Sequence, residues 1–149
     1  VVNPAMAMAQ VLAQMKDKGG RIKIPGFYED VVPLRDEERQ EFARLPFNER
    51  KYRQELGVPK LFGETGYTTL ERVWARPTFE VNGLLSGFTG EGAKTVLPAV
   101  AMAKVSMRLV PNQEPQKIGD LFEAYVKKVM PKSRGRLPTP NLPPKKKFT

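Results

Sequence analysis

Arg108 stands in a tract whose side chains alternate: Val100, Met102, Lys104, Ser106 and Arg108 on one side, Ala101, Ala103, Val105, Met107 and Leu109 on the other. On the open side of such a strand a guanidinium can clamp a carboxylate through two parallel hydrogen bonds. The residues alone allow a surface ion pair there equally well. A second feature is the glycine-flanked tract GFTGEGAKTVLP, residues 87–98, whose mobile backbone and hydroxyls, Thr95 among them, could cover a ligand. Its core, Gly90 to Thr95, reads GEGAKT. That lacks the GxxxxGK[ST] spacing and precedes a strand, whereas a phosphate-cradling loop opens a helix, so a nucleotide site is rejected. A third cluster, Asp36-Glu37-Glu38, has the charge for a cation. Carboxylates in the first turn of a helix also complement its dipole, and that is the simpler account.

Two zeros restrict the chemistry further. There is no histidine and no cysteine in the 149 residues. A Ser-His-Asp triad, a His/Cys zinc site, cysteine catalysis and a disulfide framework therefore cannot be assembled from this chain alone. No run of about 18 apolar residues is present to span a bilayer. The opening VVNPAMAMAQ has neither a basic region nor an unbroken apolar stretch, so it does not read as a signal peptide. The chain begins on Val, as expected of a fragment or single domain.

The net charge of +9 is unevenly spread. Residues 131–149 hold six of the 25 Lys/Arg, no acid and five of the 14 prolines. The rest of the chain sets 19 basic against 16 acidic groups, a net of only +3. The terminal segment has too little apolar surface to offset the entropy of ordering, so it is expected to be a disordered, basic, Pro-rich tail with a solvated KKK run.

The elements that must carry these residues follow from local signals. Asn3 and Pro4 cap and open a helix with Met8, Val11, Leu12 and Met15 on one face, stopped by Gly19-Gly20. RIKIPGFYEDVVP is extended and irregular. Helices are predicted over Leu34 to Leu45 and about Asn48 to Leu56, with thin apolar stripes, and residues of about 21–67 are expected to form a helical surface insertion. Thr68-x-x-Glu71 is a capping box opening a short helix that Pro77 ends. Strands are predicted over Thr78 to Ser86 and Ala99 to Val110. A final helix opens at Pro115 and carries Ile118, Leu121, Phe122, Tyr125, Val126 and Val129. The expected fold class is α+β: a ferredoxin-like two-layer sandwich with an antiparallel sheet and two main helices on one face. With only two strands it resembles the middle of a β-α-β-β-α-β unit and is expected to be incomplete.

NPAMAMAQVLAQM, IPGFYEDVVPL, GYTTLERVWARPTFEVNGLLSGFTGEGAKTVLPA and KVSMRLVPNQEP occur in succession. In that order they resemble the lid, or dimerisation, domain of the zinc-dependent dipeptidase family that includes carnosinases and relatives of acetylornithine deacetylase and carboxypeptidase G. The resemblance covers roughly residues 1–130, and GEGAKTVLP and MRLVPNQEP are its most specific parts. It implies a ferredoxin-like lid inserted into a separate catalytic domain, which holds two zinc ions through His, Asp and Glu. It implies a homodimer made through the lid, with a dipeptide-like substrate in the parent enzyme. By resemblance Thr95 matches the threonine of the family's KTVIP tract, a substrate contact in the partner's active site. Arg108 likewise matches the arginine of its RLVP tract, which binds substrate in its own subunit. The family's lid histidine, in a His-Ser-Gly motif, would fall before Val1.

The expectation is thus a dimerisation and substrate-positioning lid of a metal-dependent dipeptidase, cytoplasmic, with no catalytic residue, no metal ligand and no cofactor in this chain and no activity alone. The competing reading is a stand-alone ferredoxin-like interaction module whose basic tail binds an acidic partner or nucleic acid. It would favour aromatics on the open sheet face, where bases stack, and Val100, Met102, Lys104, Ser106 and Arg108 include none.

Overall fold

The computed structural model describes residues 1–131. The tail from Lys132 to Thr149, for which disorder is expected, lies outside the described residues.

Helix α1 runs Pro4–Ala13. Asn3 caps it, its Oδ1 accepting the Ala5 N–H at 2.9 Å, and Pro4 takes the first-turn position where no N–H is needed. The helix ends six residues before the predicted glycine stop, because the chain turns at Gln14 into a short bridge of Lys16 against Ile22. Helices α2 (Asp36–Arg44) and α3 (Glu49–Leu56) bury no residue, as their thin stripes require. Gly57 closes α3 in the left-handed region at φ 67°, where a side chain would be strained. Helix α4 (Thr69–Trp74) opens on the capping box: the Thr68 hydroxyl and Glu71 carboxylate bond each other's N–H groups.

Strands β1 (Thr78–Ser86) and β2 (Ala101–Arg108) pair antiparallel, from Thr78 with Arg108 to Ser86 with Ala101. The register slips between Val81 and Gly83, so Asn82 is an extra residue and the strand turns over there. Helix α5 (Pro115–Val129) returns along the sheet. The core joins Val11 and Met15, Phe79, and Ile118 of α5, with Val105, Met107 and Leu109 against it. The alternation of β2 is as the sequence indicates, with Met102, Lys104, Ser106 and Arg108 exposed on the other face. The fold is α+β, with helices α1 and α5 on one side of a two-stranded sheet.

The segment read as an insertion begins in the core. Ile22, Ile24 and Phe27 are buried among α1, β1 and α5. Prolines and glycine forbid a regular element here, but they do not prevent three large apolar side chains from packing. Only the stretch carrying α2 and α3 is a surface layer.

Candidate functional site

Arg108 ends β2 opposite Thr78, on the face away from the core helices. Its Nη2 donates to the carbonyl oxygens of Arg72 at 2.9 Å and Arg76 at 3.4 Å. These carbonyls belong to the last turn of α4 and the residues after it, where acceptors have no partner within the helix. The guanidinium is therefore aimed by main-chain oxygens. Among the described residues no carboxylate lies within ion-pair distance of it. Of the two uses the residues leave open, the surface ion pair is not made.

What fixes those carbonyls is a buried ionic knot. Glu64 receives both edges of the Arg76 fork, Nε at 2.8 Å and Nη2 at 2.8 Å, and both side chains are more than nine-tenths buried. Arg21 adds a third bond to Glu64 at 3.2 Å. The Arg76 guanidinium sits over the Tyr67 ring at 4.2 Å and the Tyr28 ring at 5.0 Å, using their negative faces. Burial works against the Arg76 charge, but the paired Glu64 bonds outweigh it and hold its pKa above the usual arginine value. Burial pushes the Tyr28 hydroxyl up, opposed in part by the bond it accepts from the Ile22 N–H at 3.0 Å. No local signal marks this knot in sequence, since Glu64 and Arg76 stand twelve residues apart across an irregular turn and α4.

Thr95 is exposed on the irregular connection between β1 and β2, at the other end of the hairpin. The seven steps of β2 put about 24 Å between the hairpin's two ends. The structure therefore does not bring Thr95 and Arg108 to one spot in one chain. The connection and the strand ends it joins carry several exposed apolar side chains, Leu84, Leu85, Phe88, Val96, Leu97 and Val100, with the charged Glu91 and Lys94 among them and Lys94 Nζ 5.6 Å from the centre of the Phe88 ring. The Ser86 hydroxyl ties the base of the connection to the Val100 carbonyl at 2.9 Å.

A pocket of about 250 Å³ opens beside Arg108, between the Lys16–Ile22 bridge, α4 and the strand ends. A larger groove of about 650 Å³ lies between α2 and Trp74, lined by Leu34, Phe42, Leu45, Val110 and Pro111. Its charged groups are Glu38 and Glu41, and it has no cation for an anionic ligand.

The donor set does not fit a metal centre. No three of Asp, Glu, His and Cys converge among the described residues. Within the acidic triplet of α2, Glu38 accepts the Arg35 N–H at 2.9 Å as a cap, and that bond holds its carboxyl below the ordinary range. No helix among the described residues is long and apolar enough to cross a membrane.

Comparison with known proteins decides the family. The model of the peptidase dimerisation domain matches residues 1–134. The chain belongs to this family. The Cys-Gly metallodipeptidase of Candida albicans is 31% identical over 126 residues, 85% of this chain and 26% of that protein. The human Beta-Ala-His dipeptidase is 32% identical over 109 residues, covering 73% of this chain and 22% of its own length. Among solved structures, human carnosine dipeptidase 1 superposes with a TM-score of 0.78 at 28% identity, over 87% of this chain and 28% of that one. A metallo-carboxypeptidase from Sulfolobus solfataricus gives 0.74 at 35% identity, over 87% of this chain and 34% of its own. The chain thus spans about a quarter to a third of the relatives it matches. What it shares with them is a peptidase dimerisation domain, and the α+β arrangement above is that domain's fold.

Proposed function

We propose that residues 1–130 are the lid of a cytoplasmic, zinc-dependent dipeptidase that works as a homodimer, and that the lid positions substrate and does no bond chemistry itself. Arg108 receives the C-terminal carboxylate of a dipeptide-like substrate in its own subunit. Thr95 contacts substrate in the partner's site, and the exposed apolar side chains of the connection pack against the second copy. The observation that carries this reading is the aimed, carboxylate-free guanidinium of Arg108 on an exposed strand end. The separation of Thr95 from Arg108 supports the division between subunits, since a dipeptide is far shorter than the hairpin. The exposed apolar side chains at this end of the hairpin support the dimer, because pairing with a second copy would take them out of water. The zinc ions belong to the parent's other domain in this reading. Positioning alone matters to such an enzyme, because holding reactants in register supplies a large share of a barrier reduction.

The test is a chimera: residues 1–130 replace the corresponding domain of the Candida albicans Cys-Gly metallodipeptidase. A charge-assisted hydrogen bond contributes about 1.5–3 kcal/mol, and about 1.4 kcal/mol is tenfold. Arg108→Ala should therefore lower kcat/KM, counted per folded molecule, at least about tenfold. A variant that loses stability while its kinetics per folded molecule stay unchanged refutes the assignment.

A further inference from the structure

Arg108 shares its pocket with other charges, and sorting them by partner leaves one unexplained. The carboxylates there are Glu64 and Glu80. Glu64 is committed to Arg76 and Arg21, and Glu80 to Lys16 Nζ at 2.8 Å. Arg72 and Arg108 remain, and neither has a carboxylate within ion-pair distance among the described residues.

Arg72 is not a loose surface cation. It is half-buried, and its Nε donates to the Glu64 carbonyl at 2.9 Å. Its side chain lies on Gly63, where a Cβ would come within 2.7 Å of Arg72 Cδ and 3.2 Å of Nη1. Only a glycine leaves room for the guanidinium to lie there. The Arg72 carbonyl in turn accepts from Arg108 Nη2. Two arginines, each with its guanidinium bonded to main-chain oxygens, thus line one small pocket. At about 250 Å³ the space falls below the roughly 300–1,000 Å³ of a drug-sized ligand site, and suits one amino-acid residue.

We propose that Arg72 is a specificity-determining residue that binds a second carboxylate, so that the site favours dipeptides whose C-terminal residue is Asp or Glu. This deepens the reading of Arg108 as the clamp on the α-carboxylate and rests on it. One guanidinium takes the main-chain carboxylate and the other the side-chain carboxylate, and a neutral side chain leaves Arg72 without a counter-charge.

The test titrates the full 149-residue chain with glycylglutamate and with its neutral isostere glycylglutamine, following arginine Nε–H and backbone resonances by NMR. Glycylglutamate should bind about fivefold more tightly, a preference that shrinks as salt is added. Arg72→Gln, which keeps an amide donor for the Glu64 carbonyl, should bring the ratio to about one with glycylglutamine affinity unchanged. Arg72→Lys should retain part of the preference, and the backbone spectrum of each variant reports whether it is folded. An unchanged ratio in folded Arg72→Gln overturns the proposal, as does the lack of any Arg72 shift at the solubility limit of glycylglutamate. Arg108→Gln separates the two levels: it should weaken both dipeptides alike. A loss of preference in Arg72→Gln together with no effect of Arg108→Gln refutes the clamp while leaving Arg72 an anion site.

Discussion

Replacing Glu64 by Gln keeps the size of the side chain and removes its charge. In the native chain Glu64 accepts two bonds from Arg76 at 2.8 Å each, with both side chains under a tenth exposed. The amide can accept one of these bonds at most and presents its NH₂ group to the other guanidinium nitrogen. Arg76 then stays buried between Tyr28 and Tyr67 without its counter-charge. Removing one partner of a buried pair costs about 3–5 kcal/mol. We expect about 3 kcal/mol, the lower end, because one bond survives and the third partner, Arg21, is more than half exposed and can find water. With a urea slope of about 1–3 kcal/mol per molar for a domain of this size, the midpoint should fall by roughly 1–3 M. The assay is urea unfolding of the full chain followed by far-ultraviolet circular dichroism. The double replacement Glu64→Leu with Arg76→Met removes both charges and should recover most of the loss, since an apolar pair of similar volume often equals a buried ion pair. A loss below about 1 kcal/mol in Glu64→Gln, or no recovery in the double variant, refutes the account of this knot as a mutually dependent buried pair.

Three further outcomes are expected. The purified chain should hydrolyse no dipeptide, with or without zinc or manganese. Metal-dependent turnover that co-purifies with the chain through successive columns would contradict this. Stability should be level up to about pH 10 and then fall: the Tyr28 phenol is held protonated above its usual value in the fold, so the unfolded chain ionises first, and the advantage is lost as pH rises through the folded value. Urea midpoints measured against pH for Tyr28→Phe should show a shallower alkaline decline than the parent. Leu97, 59% exposed on the β1–β2 connection, should be part of the contact between copies, so Leu97→Asp should shift sedimentation from dimer to monomer, whereas an unchanged sedimentation profile argues for another interface.

The sequence was most legible where structure is local. Asn3 and Pro4, the Thr68–Glu71 box and Gly57 each mark an element boundary within a turn of where it falls. The alternation through Val105 and Met107 identifies the buried face of β2 because a strand has only two faces. Arg108 could be placed on the open face for the same reason. What it bonds to could not be read, since its acceptors are carbonyls of the last turn of α4 and just after it, and main-chain oxygens carry no residue signature. The packing of Ile22, Ile24 and Phe27 was hidden for a related reason: a segment without a period gives no sign of which side is inside. Asn82 leaves no trace either, because one extra residue in a strand changes the pairing and not the composition. The Glu64–Arg76 pair depends on a turn that only the folded chain defines.

The length of the β1–β2 hairpin has a genetic consequence. On the reading proposed above, each active site draws Arg108 from one end of its own hairpin and Thr95 from the opposite end of its partner's. A Thr95→Ala allele and an Arg108→Ala allele would each impair every site of their own homodimer. In the mixed dimer the defects fall together: the Thr95→Ala subunit keeps its own Arg108 and borrows an intact Thr95, while both losses land on the other site. Two defective alleles expressed in one cell would therefore restore activity to each other, and two alleles altered at the same end of the hairpin would not.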